Sequence, residues 1–271
     1  MKLSEINIYP VKSLSGVSVK SAEIDAYGLQ YDRKWMLIDE HNKFLSQRSF
    51  PKMAMLKTAL SDNNLIISSN QLPVGEVQIP LDPFKYEQII KVDIWDDRVD
   101  AWRLSNAYDQ WFSNALQTNC RLVYMPSSSK RLVDTRYAKK EEIVGFADGF
   151  PFMLIGEASL QDLNNRLSTP VPMARFRPNL VVEGSSPYDE DQWHIINIGN
   201  NRFEVAKPCS RCTVTTIDIE TATPGREPLK TLATYRTFGK KVMFGQNLLC
   251  QFGGGINVGD ELNVLSFKYT G

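Results

Sequence analysis

Residues 206–218 read Ala-Lys-Pro-Cys-Ser-Arg-Cys-Thr-Val-Thr-Thr-Ile-Asp, and within them Cys212 directly follows a fixed positive charge, Arg211. A thiolate in that position suits two tasks, ligating a soft metal or acting as a nucleophile. Cys209 and Cys212 also form a Cys-x-x-Cys, which has three other readings. As half of a structural zinc site it needs two further Cys or His ligands, and Cys120, Cys250, His41 and His194 each stand alone in the chain. As a thioredoxin-like pair it needs a helix N-terminus to lower the thiol pKa, whereas residues 213–217 are Thr-Val-Thr-Thr-Ile, a β-branched run that predicts a strand. As two ordinary buried thiols it needs nothing more.

Other segments carry parts for holding a polyanionic, amide-rich small molecule. Tyr9-Pro10-Val11-Lys12-Ser13 ends a predicted strand at a proline, then offers an ammonium and a hydroxyl. Asp32-Arg33-Lys34-Trp35 offers Arg33 ahead of another strand. Arg175-Phe176-Arg177-Pro178-Asn179 sets a guanidinium and an amide two residues apart. Pro178 pushes Arg177 toward an extended conformation, and period-two alternation would then put Arg177 and Asn179 on one face. Each segment alone reads better as a surface cation in a loop. Together they suit bidentate contacts to phosphate and pairing with a heterocycle edge.

The elements that must position these groups are mostly strands. Ile6 and Ile8 alternate with Glu5 and Asn7, Val17 and Val19 with Ser18 and Lys20, and Val92 and Ile94 with Asp93 and Trp95. Trp35–Ile38, Leu65–Ile67 and Leu122–Tyr124 add short apolar runs bounded by turn residues. That spacing favours a barrel or sandwich over a doubly wound sheet. Three helices are expected, over 106–116, 156–167 and 227–236. Leu160, Leu163 and Leu167 share a face of the second, and Pro228 suits the first turn of the third. Residues 125–131 and the acidic run Tyr188-Asp189-Glu190-Asp191 read as solvated loops; docking of a redox partner or proton supply is a further option for the acidic run. Gly253-Gly254-Gly255 lacks the Lys-Ser/Thr of a phosphate loop and reads as a turn between strands.

The whole chain sets limits. It has 271 residues, room for one large or two medium domains, and 42% hydrophobic residues, enough for a packed core. Lys and Arg total 31, as do Asp and Glu, so a general nucleic-acid surface is not expected. No membrane span or signal peptide is legible, and four cysteines are too few for a disulfide framework. A cytoplasmic protein with reduced thiols, having no membrane and no nucleic-acid polymer as partner, is expected.

The chain resembles the MOSC family, the molybdenum cofactor sulfurase C-terminal domain proteins, and within it the branch of the mitochondrial amidoxime-reducing component and the bacterial YcbX-type proteins. The stretches that carry the resemblance run in family order: Tyr9–Ser13, Asp32–Trp35, Pro151-Phe152 with Glu157–Leu160, and Phe176–Asn179. After them come Cys209–Cys212, Glu227–Leu229 with Tyr235-Arg236, Phe244–Asn247 and Val258–Asp260. The resemblance implies a mainly β fold with a few helices (α+β), in which an N-terminal β-barrel domain, here 1–105, packs on a barrel-like MOSC domain, here 106–271. It implies a molybdenum cofactor of the molybdopterin type, with Cys212 as the molybdenum ligand and catalytic residue. Cys209 matches a position that is not a ligand. Lys12, Ser13, Arg33, Arg177 and Asn179 fall where the family contacts the cofactor. So do Ser210, Arg211 and the stretch Asp148-Gly149-Phe150, where eukaryotic members carry hydroxyl residues instead of Gly149 and Phe150. A family association with pyridoxal phosphate binding accompanies these.

The implied activity is reduction of N-hydroxylated substrates: amidoximes, hydroxylamines and N-hydroxylated bases. Eukaryotic members carry a membrane anchor and YcbX-type proteins an iron–sulfur domain, whose cysteine spacing is absent here. Electrons are therefore expected from a separate flavin, haem or iron–sulfur protein. The alternatives are a cofactor carrier, a sulfur-transfer protein with a persulfide on Cys212 or Cys209, and a zinc-stabilised interaction domain.

Overall fold

The computed structural model describes residues 1–82, 88–138, 140–250 and 253–268. It is mostly β, and the sheets sort into one large and three small. The large sheet has nine strands. Its main path runs Leu262–Phe267, Trp193–Ile198, Asn201–Ser210, Lys241–Cys250, Phe152–Gly156, Leu180–Glu183, Lys2–Ile8 and Val17–Val19, with Thr237–Phe238 beside Lys241–Cys250. Neighbours are antiparallel except Phe152–Gly156 and Leu180–Glu183, which are parallel. The helix Glu157–Arg166 lies on the connection between those two, as a parallel pair requires. The apolar residues Leu3, Ile6, Leu154, Leu180, Val182, Ile196, Phe203 and Leu248 fill one core against this sheet, each full burial contributing roughly 1.5–3 kcal/mol.

The strands expected from residues 35–38, 65–67, 92–94 and 122–124 form in two of the smaller sheets. Trp35–Ile38, Arg121–Tyr124, Asp97–Arg103 and Gln88–Ile94 are hydrogen-bonded in that order, as are Lys57–Leu60, Asn64–Ser68 and Val77–Pro80. The last sheet joins Gly255–Asn257, Ser21–Asp25 and Gly28–Leu29. Among the described residues no sheet closes into a barrel. The nine-stranded sheet comes nearest, because Leu3 donates its N–H to Asp260 O at 2.9 Å and Leu262 donates to Met1 O at 2.9 Å, stitching the first strand to the start of the last.

The helix Asn106–Leu116 spans its expected residues and buries Phe112, Ala115 and Leu116. The second helix is Glu157–Arg166. The third is shorter than its pattern, only Leu229–Ala233, with Pro228 as its N-cap rather than inside the first turn.

Two loop expectations are corrected. In the acidic run, Glu190 is buried: its carboxylate accepts from Ser159 Oγ at 2.8 Å and from the Gly156 N–H at 3.2 Å, capping the start of the helix Glu157–Arg166 from a distant segment. Asp191 pairs with Arg236 at 2.6 Å. In 125–131, Met125, Ser129 and Arg131 are buried, because Tyr27 Oη donates toward the carbonyls of residues 126, 127 and 129 and Arg131 reaches inward. Gly255 opens a strand as expected of a turn end; Gln251 and Phe252 lie outside the described residues.

The functional part of the fold is a crossing point. Where the chain leaves the large sheet after Ile8, residues 9–12 run alongside Arg33–Trp35. Arg33 donates its N–H to Tyr9 O at 2.9 Å, Trp35 to Pro10 O at 3.1 Å and Lys12 to Trp35 O at 2.8 Å. The loop 145–148 lies over this crossing, with Phe146 N–H on Arg33 O at 2.8 Å. A β-carbon at Gly145 would sit 2.9 Å from Arg33 O, so that loop approaches closely only because residue 145 is glycine.

Candidate functional site

A cleft opens beside this crossing and holds about 870 Å³ of empty space, its open mouth included. Lys12, Ser13 and Arg33 reach it from the crossing, Asp148, Gly149 and Phe150 from the loop above, and Arg177 and Asn179 from the approach to the interior strand Leu180–Glu183. Ser210, Arg211 and Cys212 reach it from the end of strand Asn201–Ser210. Every residue expected to contact a cofactor therefore meets in one place. The backbone at three of them is left-handed: Ser13 has φ 70°, Arg33 φ 48° and Arg177 φ 58°. Such non-glycine residues carry roughly 1–3 kcal/mol of strain each, and they cluster at ligand sites. The expectation that Pro178 would hold Arg177 extended is thereby corrected. Tertiary contacts override the local preference: Arg177 Nη1 donates to Leu14 O at 2.5 Å, and its guanidinium lies 4.3 Å from the Tyr9 ring centroid.

Tyr9 organises the cations. Arg33 also lies over its ring, at 4.3 Å, so two guanidinium groups share one aromatic side chain. The ring is buried, which pushes the Tyr9 hydroxyl up to about 12 against the pull of Arg177 and Arg33. Gly16 makes room for it, since a β-carbon there would fall 2.5 Å from Tyr9 Cε1. Burial, and next the charge of Arg33, lower Arg177 to about 10. Arg33 is fixed by Asp32 at 2.6 Å, whose carboxyl is raised by burial despite that partner.

Lys12 is buried and donates to Phe146 O at 2.9 Å and to Asp148 Oδ1 at 2.6 Å. Burial lowers its pKa, and Asp148 opposes the shift. The Asp148 carboxylate faces the open cleft, with 74% of its side-chain surface exposed. Partial desolvation would raise its pKa; Lys12, with Arg33 and Arg48, outweighs it and holds the carboxyl below the usual range. Lys12, Arg33, Arg48, Arg177 and Arg211 are thus set against Asp148 and Asp32, which leaves the cleft with surplus positive charge.

The sulfurs line the opposite wall. Arg211 Nη1 points at Met153 Sδ and Cys209 Sγ, 2.9 and 3.0 Å away, and Nη2 donates to Phe176 O at 2.6 Å. Its Nε is buried without a partner. Cys212 is half-buried, with its sulfur 3.6 Å from Arg48 Nη1. The segment after it is a 3-10 helix, Thr213–Thr216, where a strand was expected. Thr215 Oγ1 donates to Cys212 O at 3.0 Å and Thr216 Oγ1 to Thr213 O at 2.8 Å; these local bonds overcome the β-branched preference. Asn179 lines the cleft, but its amide braces the fold: Oδ1 accepts from Arg33 Nη1 at 3.1 Å and Met153 N at 3.2 Å, and Nδ2 donates to Asn7 O at 3.2 Å.

Residues 141–263 match the MOSC domain and residues 1–119 the MOSC N-terminal beta barrel domain. Mitochondrial amidoxime-reducing component 1 of Mus musculus is 32% identical over 281 residues, covering 97% of this chain and 82% of the relative. The chain belongs to the MOSC family. Another relative, the molybdenum cofactor sulfurase of Oryza sativa subsp. japonica, is 33% identical over 90% of this chain, which spans 32% of that longer protein. Among solved structures the YUAD protein from Bacillus subtilis aligns over 96% of this chain and 93% of its own, at 11% identity and a TM-score of 0.44.

The cleft fits the cofactor that the MOSC family implies on three counts. It has surplus cations for a phosphate-bearing group, a buried orphan donor at Arg211 Nε, and a soft thiol at Cys212 reachable from the same space. Among the described residues no group of three or more His, Cys, Asp or Glu converges as an all-protein metal site would, and no helix is long and apolar enough to cross a membrane. No spacing marks Tyr9, Arg48 or Arg131 as site residues in the sequence; their roles rest on contacts with other segments of the chain.

Proposed function

We propose that this chain is a molybdenum-cofactor-dependent reductase that removes oxygen from N-hydroxylated compounds, using electrons from a separate redox protein. The observation that carries the reading is Cys212 opening into the same cleft as a surplus of buried and half-buried cations. Amidoxime-reducing components among the relatives support the reaction class. In this reading Cys212 supplies a thiolate ligand, a metal-bound thiol giving up its proton. Lys12, Arg33 and Arg177 offset the negative charge of phosphate and pterin, and the Arg211 Nε–H donates to the same group. When bound, the cofactor supplies the two-electron oxygen chemistry. Overall, the N–O bond of the substrate breaks, two electrons and two protons enter, and the oxygen leaves as water; an amidoxime yields an amidine.

The test is expression with ample molybdate and cofactor synthesis, metal analysis, and reduction of benzamidoxime with an artificial donor. Cys212→Ala is expected to lose turnover and most of the molybdenum. Full activity in that variant ends the reading. A second reading is favoured by the Arg211 contact to Cys209, which suits an anionic sulfur: sulfur transfer through a persulfide. It is recognised by an added sulfur mass on the native protein and by absence of turnover.

A further inference from the structure

Arg48 is held in an unusual way. Its guanidinium carbon lies 4.5 Å from the Trp95 ring centroid, and Nη1 is 3.6 Å from Cys212 Sγ. It forms no ion pair among the described residues. A planar group therefore lies over an indole and points an N–H at the thiol from its edge, and only a weak sulfur acceptor and a ring face hold it.

Trp95 is built as a platform. It occupies the turn between strands Gln88–Ile94 and Asp97–Arg103 with φ 56°, a strained conformation for a bulky residue. Phe44 packs against it at 5.0 Å and 53°, and Lys12 Nζ lies 5.7 Å from its ring, so the indole is fixed in place while 42% of the residue stays exposed.

Trp95 does not itself line the cleft; Arg48, which does, lies over its ring. We propose that this face of Trp95 is the specificity surface of the site. A flat, conjugated N-hydroxylated group (N–OH on an amidine, guanidine or base) stacks there by displacing the Arg48 guanidinium, which has the same planar shape. This rests on the reductase reading and narrows it: planar substrates are preferred over saturated hydroxylamines, because only the former gain from stacking. Arg48, exposed and held by no ion pair among the described residues, swings to solvent at little cost and acts as the resident competitor. A group that takes the place of the guanidinium presents its edge to the Cys212 sulfur, as Arg48 Nη1 does at 3.6 Å.

The experiment compares benzamidoxime with N-cyclohexylhydroxylamine on the cofactor-loaded protein. Trp95→Leu, apolar but smaller and without a π face, is expected to lower the ratio of kcat/KM for benzamidoxime over N-cyclohexylhydroxylamine about tenfold, the usual worth of one aromatic stack. Trp95→Phe should restore most of that ratio. Arg48→Met, which keeps the length and removes the competitor, should lower the KM for benzamidoxime. An unchanged ratio in Trp95→Leu, or a raised benzamidoxime KM in Arg48→Met, overturns the assignment while wild-type turnover leaves the reductase reading standing. If the wild type reduces neither compound, the reductase reading falls, and calorimetry still decides the platform: benzamidoxime binding weakened about tenfold in Trp95→Leu supports it, equal binding rejects it.

Discussion

Lys12 Nζ and Asp148 Oδ1 meet at 2.6 Å across 136 residues of sequence, one from the crossing below the cleft and one from the loop above. The pair clamps the two halves of the site wall together. Asp148→Asn should destabilise the protein by about 1–2 kcal/mol at neutral pH, the low end for a charged hydrogen bond because the carboxylate is open to solvent. The pH dependence has a definite sign. Asp148 is held below its unfolded value, so its contribution is complete above about pH 4 and is lost as pH falls through the folded value. The stability gap between wild type and Asp148→Asn, followed by denaturant titration, should therefore shrink below pH 4. A gap constant down to pH 2.5 contradicts the ion pair.

Gly16 should not tolerate a side chain. An added β-carbon meets Tyr9 Cε1 at 2.5 Å and Cδ1 at 2.8 Å, and that ring cannot retreat because Arg33 and Arg177 both lie over it. Gly16→Ala is expected to cost about 1–3 kcal/mol. A double-mutant cycle with Tyr9→Ala checks the cause: most of the Gly16→Ala penalty should vanish in that background.

Arg131 should hold the loop 145–148 that overhangs the cleft. Buried, it donates to Gly145 O at 3.0 Å, Ala147 O at 2.5 Å, Asp148 O at 3.2 Å and Asp97 Oδ2 at 2.6 Å. Arg131→Met leaves these acceptors unmet and should destabilise by about 3 kcal/mol. Hydrogen exchange should rise first at the amides of residues 145–150. Uniform loss of protection across the chain argues against a local brace.

Glu190 should make the stability depend on pH in the opposite sense to Asp148. Burial raises its pKa, against the hydrogen bond from Ser159. Between that raised value and the ordinary value near 4.3 the folded chain binds the proton first, so folding gains as pH falls. Against Glu190→Gln, the wild type should be relatively more stable at pH 5 than at pH 7.5. Equal differences at both pH values reject a strained buried carboxylate.

Much of this was legible in the chain. The helix Asn106–Leu116 is amphipathic over its whole length, with Phe112 on the buried side, and Trp35–Ile38 is a continuous apolar run that ends up fully buried; local pattern and tertiary packing agree there. Where they compete, the sequence misleads. Thr213–Thr216 reads as strand by side-chain shape but turns, because the threonine hydroxyls find carbonyls one turn back. Glu190 reads as solvent-loving but is buried, because a helix start and the Ser159 hydroxyl wait for it in a different segment.

By itself, the order of residue types determined that this chain makes β-rich units and that it carries a cysteine beside an arginine with further cations elsewhere. Those are properties of neighbours, set by side-chain periodicity and covalent adjacency. Only the tertiary structure decided that Lys12, Arg33, Arg177 and Arg211 share one cleft with Cys212, that Asn179 is a brace within it, and that Arg48 lies between that thiol and Trp95. Such proximity arises from sheet pairing and side-chain contacts between segments distant in the sequence, and the backbone strain at Ser13, Arg33 and Arg177 is tolerated because packing from several directions holds those residues at once.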